Sequence, residues 1–249
     1  MSSRYVQARK PSTVLPVTLI LLKTFISCAI ILNIEIDRGD IIMNELAKYW
    51  DKIHLQYNSN YDNWLNKYVH LFNQDDSIIE LGCGRAYCSN YLLETGFKDI
   101  TACDFSEEVL KIVNISNPTL KTKLFDMSTE LPFKDKSINL IVADLSLHYF
   151  NSSTTKYIFD EIYRILKNNG YLIARVNSAN DKFHIPNNAQ ELEKNFFYDG
   201  NIYKKFFEKE DFDSLFKNFE IYSIEEKYMD RYEKPKILWE FCIKKCNGG

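Results

Sequence analysis

No stretch of this chain concentrates lysine and arginine, and the formal net charge is −3, so the electrostatic footprint of a nucleic-acid binder is missing. None of the six cysteines (28, 83, 88, 103, 242 and 246) forms a Cys-x-x-Cys pair or joins a Cys/His cluster. That excludes the usual zinc spacings and a disulfide framework, and it fits reduced thiols in a cytosolic protein. Internal repeats, low-complexity tracts and linkers rich in Pro, Gly or Ser are absent from residue 43 onward, so 43–249 reads as one domain. What is present is ordinary: 249 residues, 45% hydrophobic and 26% charged, enough to bury a full core.

Strand-like apolar runs alternate with helical patterns. Ser77–Leu81 predicts a short buried strand followed by glycines, and Tyr87–Thr95 a helix stopping near Gly96. Ile100–Asp104 predicts a second strand, and Ser106 is placed to cap a helix running to about Val113. Leu120–Asp126 and Ser137–Asp144 follow as strands, the latter apolar on both faces. Thr154–Leu166 predicts a helix with Tyr157, Ile158, Ile162, Ile165 and Leu166 on one face, ended by Asn168-Asn169-Gly170, and Tyr171–Val176 a fifth strand. This alternation implies a parallel sheet with helices on both sides. Residues 177–205 show weak periodicity; then come a short helix (Lys209–Lys217) and two strands, about Phe219–Glu226 and Ile237–Lys244.

In a doubly wound sheet the ligand sits beyond the carboxyl ends of the strands, so the glycine turn after the first strand is the place to look. Gly82 and Gly84 let backbone approach a ligand closely. A dinucleotide site requires a third glycine to pack helix against strand, and Tyr87 stands there instead. What remains, Glu80-x-Gly82-x-Gly84 followed by Ala86, suits a ligand with an adenosine but no pyrophosphate. Asp104 ends the second strand, where a carboxylate can accept both ribose hydroxyls. Asp126-Met127 closes the third strand, offering a carboxylate and an apolar side chain to an adenine, and Asp144 closes the fourth beside the reacting end of the ligand.

In this order the segments Ile79-Glu80-Leu81-Gly82-Cys83-Gly84, Ala102-Cys103-Asp104-Phe105-Ser106, Leu131-Pro132-Phe133, Ile141–Phe150 and Glu161–Gly170 resemble the class I S-adenosylmethionine-dependent methyltransferases, specifically small bacterial methyltransferase-domain proteins. The resemblance is strong over 77–176. It implies a Rossmann-like α/β three-layer sandwich with a seven-stranded, mostly parallel sheet of order 3-2-1-4-5-7-6 and an antiparallel last strand. It also implies S-adenosylmethionine held by Glu80, Gly82, Cys83, Gly84, Asp104, Phe105, Asp126, Met127, Asp144 and Leu145. One departure is Ala86, where the family commonly has a third glycine; alanine is expected there only with φ below zero.

The implied reaction is in-line displacement of methyl from a sulfonium, for which the protein chiefly aligns the partners and excludes water. His148 is the one candidate base at the ligand edge, but the expected role is packing beneath the cofactor or hydrogen-bonding backbone. Tyr149 is expected to line the pocket, and Arg175 with Asn177 to meet a substrate anion, unless Arg175 is simply salt-bridged. Residues 43–73, with Tyr49, Trp50, Tyr57, Tyr61 and Trp64, are expected to form an N-terminal helical lid; 177–205, with His184, Phe196, Phe197 and Tyr198, a substrate cap. No Pro-Pro-aromatic follows Asp144 and no Pro-Cys pair is present, so nucleic-acid methylation is disfavoured. The expectation is methyl transfer to a small molecule, with no nucleic acid or metal; a protein acceptor, a non-catalytic S-adenosylmethionine-binding module and a nicotinamide reductase are the alternatives.

The first forty residues differ from the rest. Val14–Leu32 is mostly apolar, broken by Lys23 and preceded by Arg4, Arg9 and Lys10. As a membrane anchor it would keep the basic end inside and send the domain away from its cytosolic cofactor. Arg38-Gly39 can be encoded by a purine-rich ribosome-binding sequence shortly before Met43. The expectation is that residues 1–42 are translated upstream sequence and Met43 the native start, with a membrane segment or docked helix as alternatives. The predicted location is cytoplasmic, or membrane-associated if 14–32 is a genuine segment.

Overall fold

The computed structural model describes residues 46, 48–53, 61–185, 187–231 and 234–246, all within one compact unit, Leu46–Gly249. The expectation for residues 1–42, and that for Tyr57 in the N-terminal lid, lie outside the described residues. Among those described, no helix is long and apolar enough to cross a membrane.

Residues 46 and 48–53 are helical (α1), and two short 3-10 turns cover Trp64–Lys67 and Val69–Leu71. The main sheet is built from β1 (Ser77–Leu81), β2 (Asp99–Asp104), β3 (Lys121–Leu124), β4 (Ile138–Asp144) and β5 (Leu166–Asn177). Between them lie α2 (Tyr87–Glu94), α3 (Glu107–Ser116) and α4 (Ser152–Ile165). A three-stranded meander follows, of β6 (Gln190–Glu193), β7 (Phe196–Tyr198) and β8 (Tyr203–Lys205). The chain closes with α5 (Asp211–Leu215), β9 (Phe219–Met229) and β10 (Lys236–Lys245).

The seven-stranded sheet has the order β3-β2-β1-β4-β5-β10-β9, which is 3-2-1-4-5-7-6 once the meander is set aside. β10 is antiparallel to both neighbours while the first five strands pair in parallel. Alternation along the strands feeds two cores. On one face Ile79, Leu81, Ile141 and Ala143 pack with Ile158, Ile162 and Ile165 of α4, with Phe212 of α5 and with Phe216 just past it. On the other, Ile78, Ile100, Leu140 and Val142 pack with Leu92 of α2, Val113 of α3 and Trp64, Leu65 and Tyr68 ahead of β1. Burying each large aliphatic side chain is worth roughly 1.5–3 kcal/mol, so the continuous apolar runs of β1 and β4 fix them at the sheet centre.

Ser106 caps α3 by accepting from Val109 N–H at 3.0 Å, and Gly96 turns left-handed (φ 101°) past the end of α2. Tyr157 departs from its expected place on the apolar face of α4 and is 42% exposed. Asn168-Asn169-Gly170 was expected as a terminator, but α4 ends at Ile165 and these residues belong to β5. Asn169 takes φ 62° there, and the β4–β5 register shifts between Ile138 and Leu140.

Candidate functional site

The carboxyl ends of β1, β2, β3, β4 and β5 converge on one edge. Gly82 (φ 65°) and Gly84 (φ 51°) make the turn after β1 left-handed twice, a conformation open to glycine at little steric cost. A Cβ on Gly82 would lie 2.4 Å from Ser146 Cβ and 3.3 Å from Met127 Cε, and Ser146 Oγ donates to the Leu81 carbonyl at 2.6 Å. Gly82 is therefore required by the close approach of the β4 loop. Gly84 N–H donates to Asp104 Oδ2 at 2.9 Å, and Ser106 N–H to Oδ1 at 3.0 Å, which ties the β1 and β2 turns through one carboxylate. Cys83, between the glycines, donates its N–H to the Cys103 carbonyl at 2.9 Å.

The expectation that Ala86 keeps φ below zero is corrected: φ is 57°. Its side chain is fully buried, and its carbonyl accepts from Asn90 N–H in the first turn of α2, so the helix start holds it in a conformation that costs a non-glycine residue about 1–2 kcal/mol. Leu145, next after Asp144, is left-handed as well (φ 59°). Two strained non-glycine residues thus flank this edge, as they commonly do at binding sites.

Glu80 reaches into the start of α2 and accepts from Ser89 N–H at 2.9 Å and Ser89 Oγ at 2.5 Å. It supplies, from the strand, the cap that Ala86 lacks. Burial pushes its carboxyl up to about 7; the Ser89 bonds oppose that shift and the Asp144 charge adds to it. Asp126 accepts from Ser128 N–H at 2.8 Å and from Ser128 Oγ at 2.6 Å. Phe105 and Met127 are half-buried beside Asp104 and Asp126, presenting apolar surface where β2 and β3 end.

Asp144 and Arg175 form part of a four-residue ion network. Arg175 donates to Asp144 through Nε (2.7 Å) and Nη2 (2.9 Å), and to Asp62 through Nη1 (2.7 Å). Arg231 donates to Asp144 at 2.8 Å and to Asp62 at 2.8 Å. Two arginines and two aspartates balance in charge, and the Arg175 guanidinium also lies 4.4 Å from the Trp64 ring centroid. Burial alone would raise both carboxyls, but the two arginines outweigh it and hold Asp144 and Asp62 below the ordinary carboxylate range. Of the two roles foreseen for Arg175, the geometry displays the salt bridge. Asp62 and Arg231 were not singled out from the sequence; they meet Asp144 only through tertiary structure, with no local motif to mark them.

A cavity of about 760 Å³ adjoins this network, lined in part by Tyr61, Asp62, Trp64, Arg175, Arg231 and Leu238. His148 is 2% exposed, and burial, reinforced by Lys236 and Lys204, holds it well below its usual pKa, hence neutral. Its Nδ1 has no hydrogen-bond partner among the described residues. Tyr149 packs against the His148 ring at 4.4 Å and edge-on against Trp50 of α1 at 4.9 Å, so the N-terminal helix reaches the site. Ser106 Oγ also donates to Asp51 of that helix. Asn177 donates through Nδ2 to the Lys205 carbonyl at 3.3 Å, joining β5 to the meander. His184 contacts Asp181 at 2.9 Å, while Phe196, Phe197 and Tyr198 form the middle strand of the meander.

A family model described as a methyltransferase domain matches residues 79–174. The human mitochondrial arginine-hydroxylase NDUFAF5 is 34% identical over 96 residues, covering 38% of this chain and 27% of that protein. The human eEF1A lysine and N-terminal methyltransferase is 24% identical over 136 residues, 50% of this chain and 19% of that protein. A solved S-adenosylmethionine-dependent methyltransferase from Methanosarcina mazei superposes with a TM-score of 0.63 at 19% identity, covering 77% of this chain and 100% of that one. The chain spans less than half the length of the curated relatives it matches.

Proposed function

We propose, from the methyltransferase-domain match over residues 79–174, that this chain transfers a methyl group from S-adenosylmethionine to a small-molecule acceptor. The observation that carries the reading is the joined turn in which Gly84 and Ser106 N–H groups grip Asp104 where β1 and β2 end. Those bonds orient the carboxylate at the place where a ribose is recognised in such sheets.

The residues present suit the cofactor. Asp104 would take the ribose hydroxyls, and Phe105 and Met127 would face the adenine with Asp126 at its rim. When bound, S-adenosylmethionine supplies an electrophilic methyl on a sulfonium. The chain's own tasks are to align the acceptor, to exclude water and, where the nucleophile is protonated, to take its proton. His148 is neutral, and so able to accept one. Asp144 acts indirectly, anchoring Arg175 and Arg231 beside the cavity.

A small acceptor is supported by the cavity's 760 Å³, within the range of ordinary ligand pockets, and by the meander that adjoins β5. The relatives' names divide: one is called a hydroxylase and the other a methyltransferase of eEF1A, so a protein acceptor is the second reading. Calorimetry of the purified chain with S-adenosylmethionine tests the proposal. Micromolar binding is expected, with a Kd about 100-fold weaker or worse for Gly82→Arg; failure of the parent chain to bind below millimolar concentration defeats it.

A further inference from the structure

A cluster of polar side chains at the end of β5 takes no part in the cofactor turn. His148 follows β4, Asp181 follows β5, Lys204 lies on β8 and Lys236 opens β10. Backbone hydrogen bonds hold these segments together. Lys205 N–H donates to the His148 carbonyl at 2.7 Å, Ser178 N–H to the Ile237 carbonyl at 3.2 Å, and Asp181 N–H to the Ser178 carbonyl at 3.0 Å. Lys236 lies two residues from Leu238, a wall of the cavity, and residues so spaced share a strand face.

The cluster is incomplete by two independent criteria. Three buried atoms lack a hydrogen-bond partner among the described residues, namely His148 Nδ1, Asn177 Oδ1 and Asp181 Oδ2, in residues only 2%, 0% and 1% exposed. Buried polar groups are rarely left so, and several together call for a bound water, ion or ligand. The second criterion is charge. Neither Lys204 nor Lys236 forms a salt bridge among the described residues. Burial drives Lys236 down to about 8, with Lys204 adding repulsion and Asp181 opposing it, and burial lowers Lys204 as well. Arg175, the cation first expected to meet a substrate anion, is already neutralised by Asp144 and Asp62.

We propose that Lys204 and Lys236 bind the anionic group of the acceptor, a carboxylate or phosphate, with His148 Nδ1–H as a third donor. Asn177 Oδ1 and Asp181 Oδ2 are acceptors, so they call for an N–H or O–H next to that anion. The acceptor class is a small hydroxy or amino acid, or a phosphate that keeps a proton. Only the word acceptor rests on the methyltransferase reading; the anion site stands without it.

The test uses the full chain and three probes in calorimetry: inorganic phosphate, lactate, and acetate, which lacks the second donor. Lactate or phosphate is expected to bind, acetate about tenfold more weakly than lactate, and Lys204→Met and Lys236→Met each to weaken binding at least about tenfold. S-adenosylmethionine affinity, measured in parallel, should hold within about twofold. Tighter phosphate than lactate identifies a phosphorylated acceptor, and the reverse a carboxylate. No binding of either anion by the parent chain, or unchanged binding in both variants, overturns the proposal. Anion binding without S-adenosylmethionine binding would defeat the methyltransferase reading and leave this site standing. Should a methionine variant misfold, the parent chain still decides. With lysines reductively methylated with a carbon-13 label, the Lys236 signal should titrate at higher pH when phosphate is saturating, and an unmoved titration counts against the site.

Discussion

Arg175 grips Asp144 from the neighbouring strand with two hydrogen bonds, Nε to Oδ1 at 2.7 Å and Nη2 to Oδ2 at 2.9 Å, at paired positions of the parallel β4–β5 ladder. The Arg175 side chain is 3% exposed and that of Asp144 9%. Removing one partner of such a buried pair strands the other charge, which costs about 3–5 kcal/mol. Arg175→Met should lose the lower part of that range in urea unfolding, because Arg231 still compensates Asp144. A loss under about 1 kcal/mol would mean the network behaves as if solvent-exposed.

The same network sets an acid limit on stability. Asp144 and Asp62 are held below their ordinary value of 3.8 in the folded chain, so the unfolded chain binds more protons in that region. Their contribution is complete above pH 3.8 and is lost as pH falls through the folded values. Unfolding free energy should therefore fall steeply below pH 4, and the double variant Asp62→Asn, Asp144→Asn should be less stable at neutral pH but shallower in acid. An equal acid slope in both proteins would contradict this assignment.

Glu80 predicts the opposite slope. Its carboxyl, pushed from 4.5 up to about 7, holds its proton more tightly folded than unfolded. Stability should decline as pH rises from 4.5 to about 7, and Glu80→Gln should flatten that interval while keeping an acceptor for Ser89. Denaturation midpoints at unit pH intervals suffice to check it. A slope unchanged by the substitution would place the titration elsewhere.

How much of this was legible in the sequence follows from how local each feature is. The strands at 77–81 and 138–144 could be read because both faces are buried, which leaves an unbroken apolar run. Ser106 and Gly96 could be read because capping is a short-range bond. The meander over 190–205 could not: β6 is exposed at every residue, so no apolar alternation marks it. Ala86 was misjudged because steric preference alone favours negative φ, whereas the turn geometry of Gly82 to Ala86 overrides it. The network of Asp62, Asp144, Arg175 and Arg231 was half seen. Its strand-end members stood out, while Asp62 and Arg231 arrive from segments distant in sequence.

Gly82 provides a prediction that separates packing from ligand approach. With φ at 65° and Ser146 Cβ 2.4 Å from where its own Cβ would be, Gly82→Ala must both strain the backbone and displace the β4 loop. The expected loss is about 2 kcal/mol or more, since left-handed strain alone costs about 1–3 kcal/mol. In a double-mutant cycle Ser146→Gly should recover part of it by removing the clash, but not the strain. Strict additivity of the two substitutions would rule out that contact as the reason for the glycine.

Asp104 and His148 provide the last contrast, in cofactor affinity. Asp104 accepts from two backbone N–H groups of the two turns that would face the cofactor. Asp104→Ala therefore removes the ribose acceptor and also frees both turns, and the S-adenosylmethionine Kd should rise at least about 100-fold, the loss of two charge-assisted bonds. His148 packs against Tyr149 and the Lys204 strand, on what the proposal makes the acceptor side, so His148→Ala should leave that Kd within about threefold, well under the 1.4 kcal/mol of a tenfold change. Methyl transfer is a separate readout. If His148 takes the nucleophile's proton, the alanine variant loses kcat with cofactor affinity retained; if it only helps to seat the anion, the loss appears in acceptor KM. Equal losses of cofactor affinity in the two variants would move the cofactor away from the Gly84–Asp104 turn and onto the β4 loop.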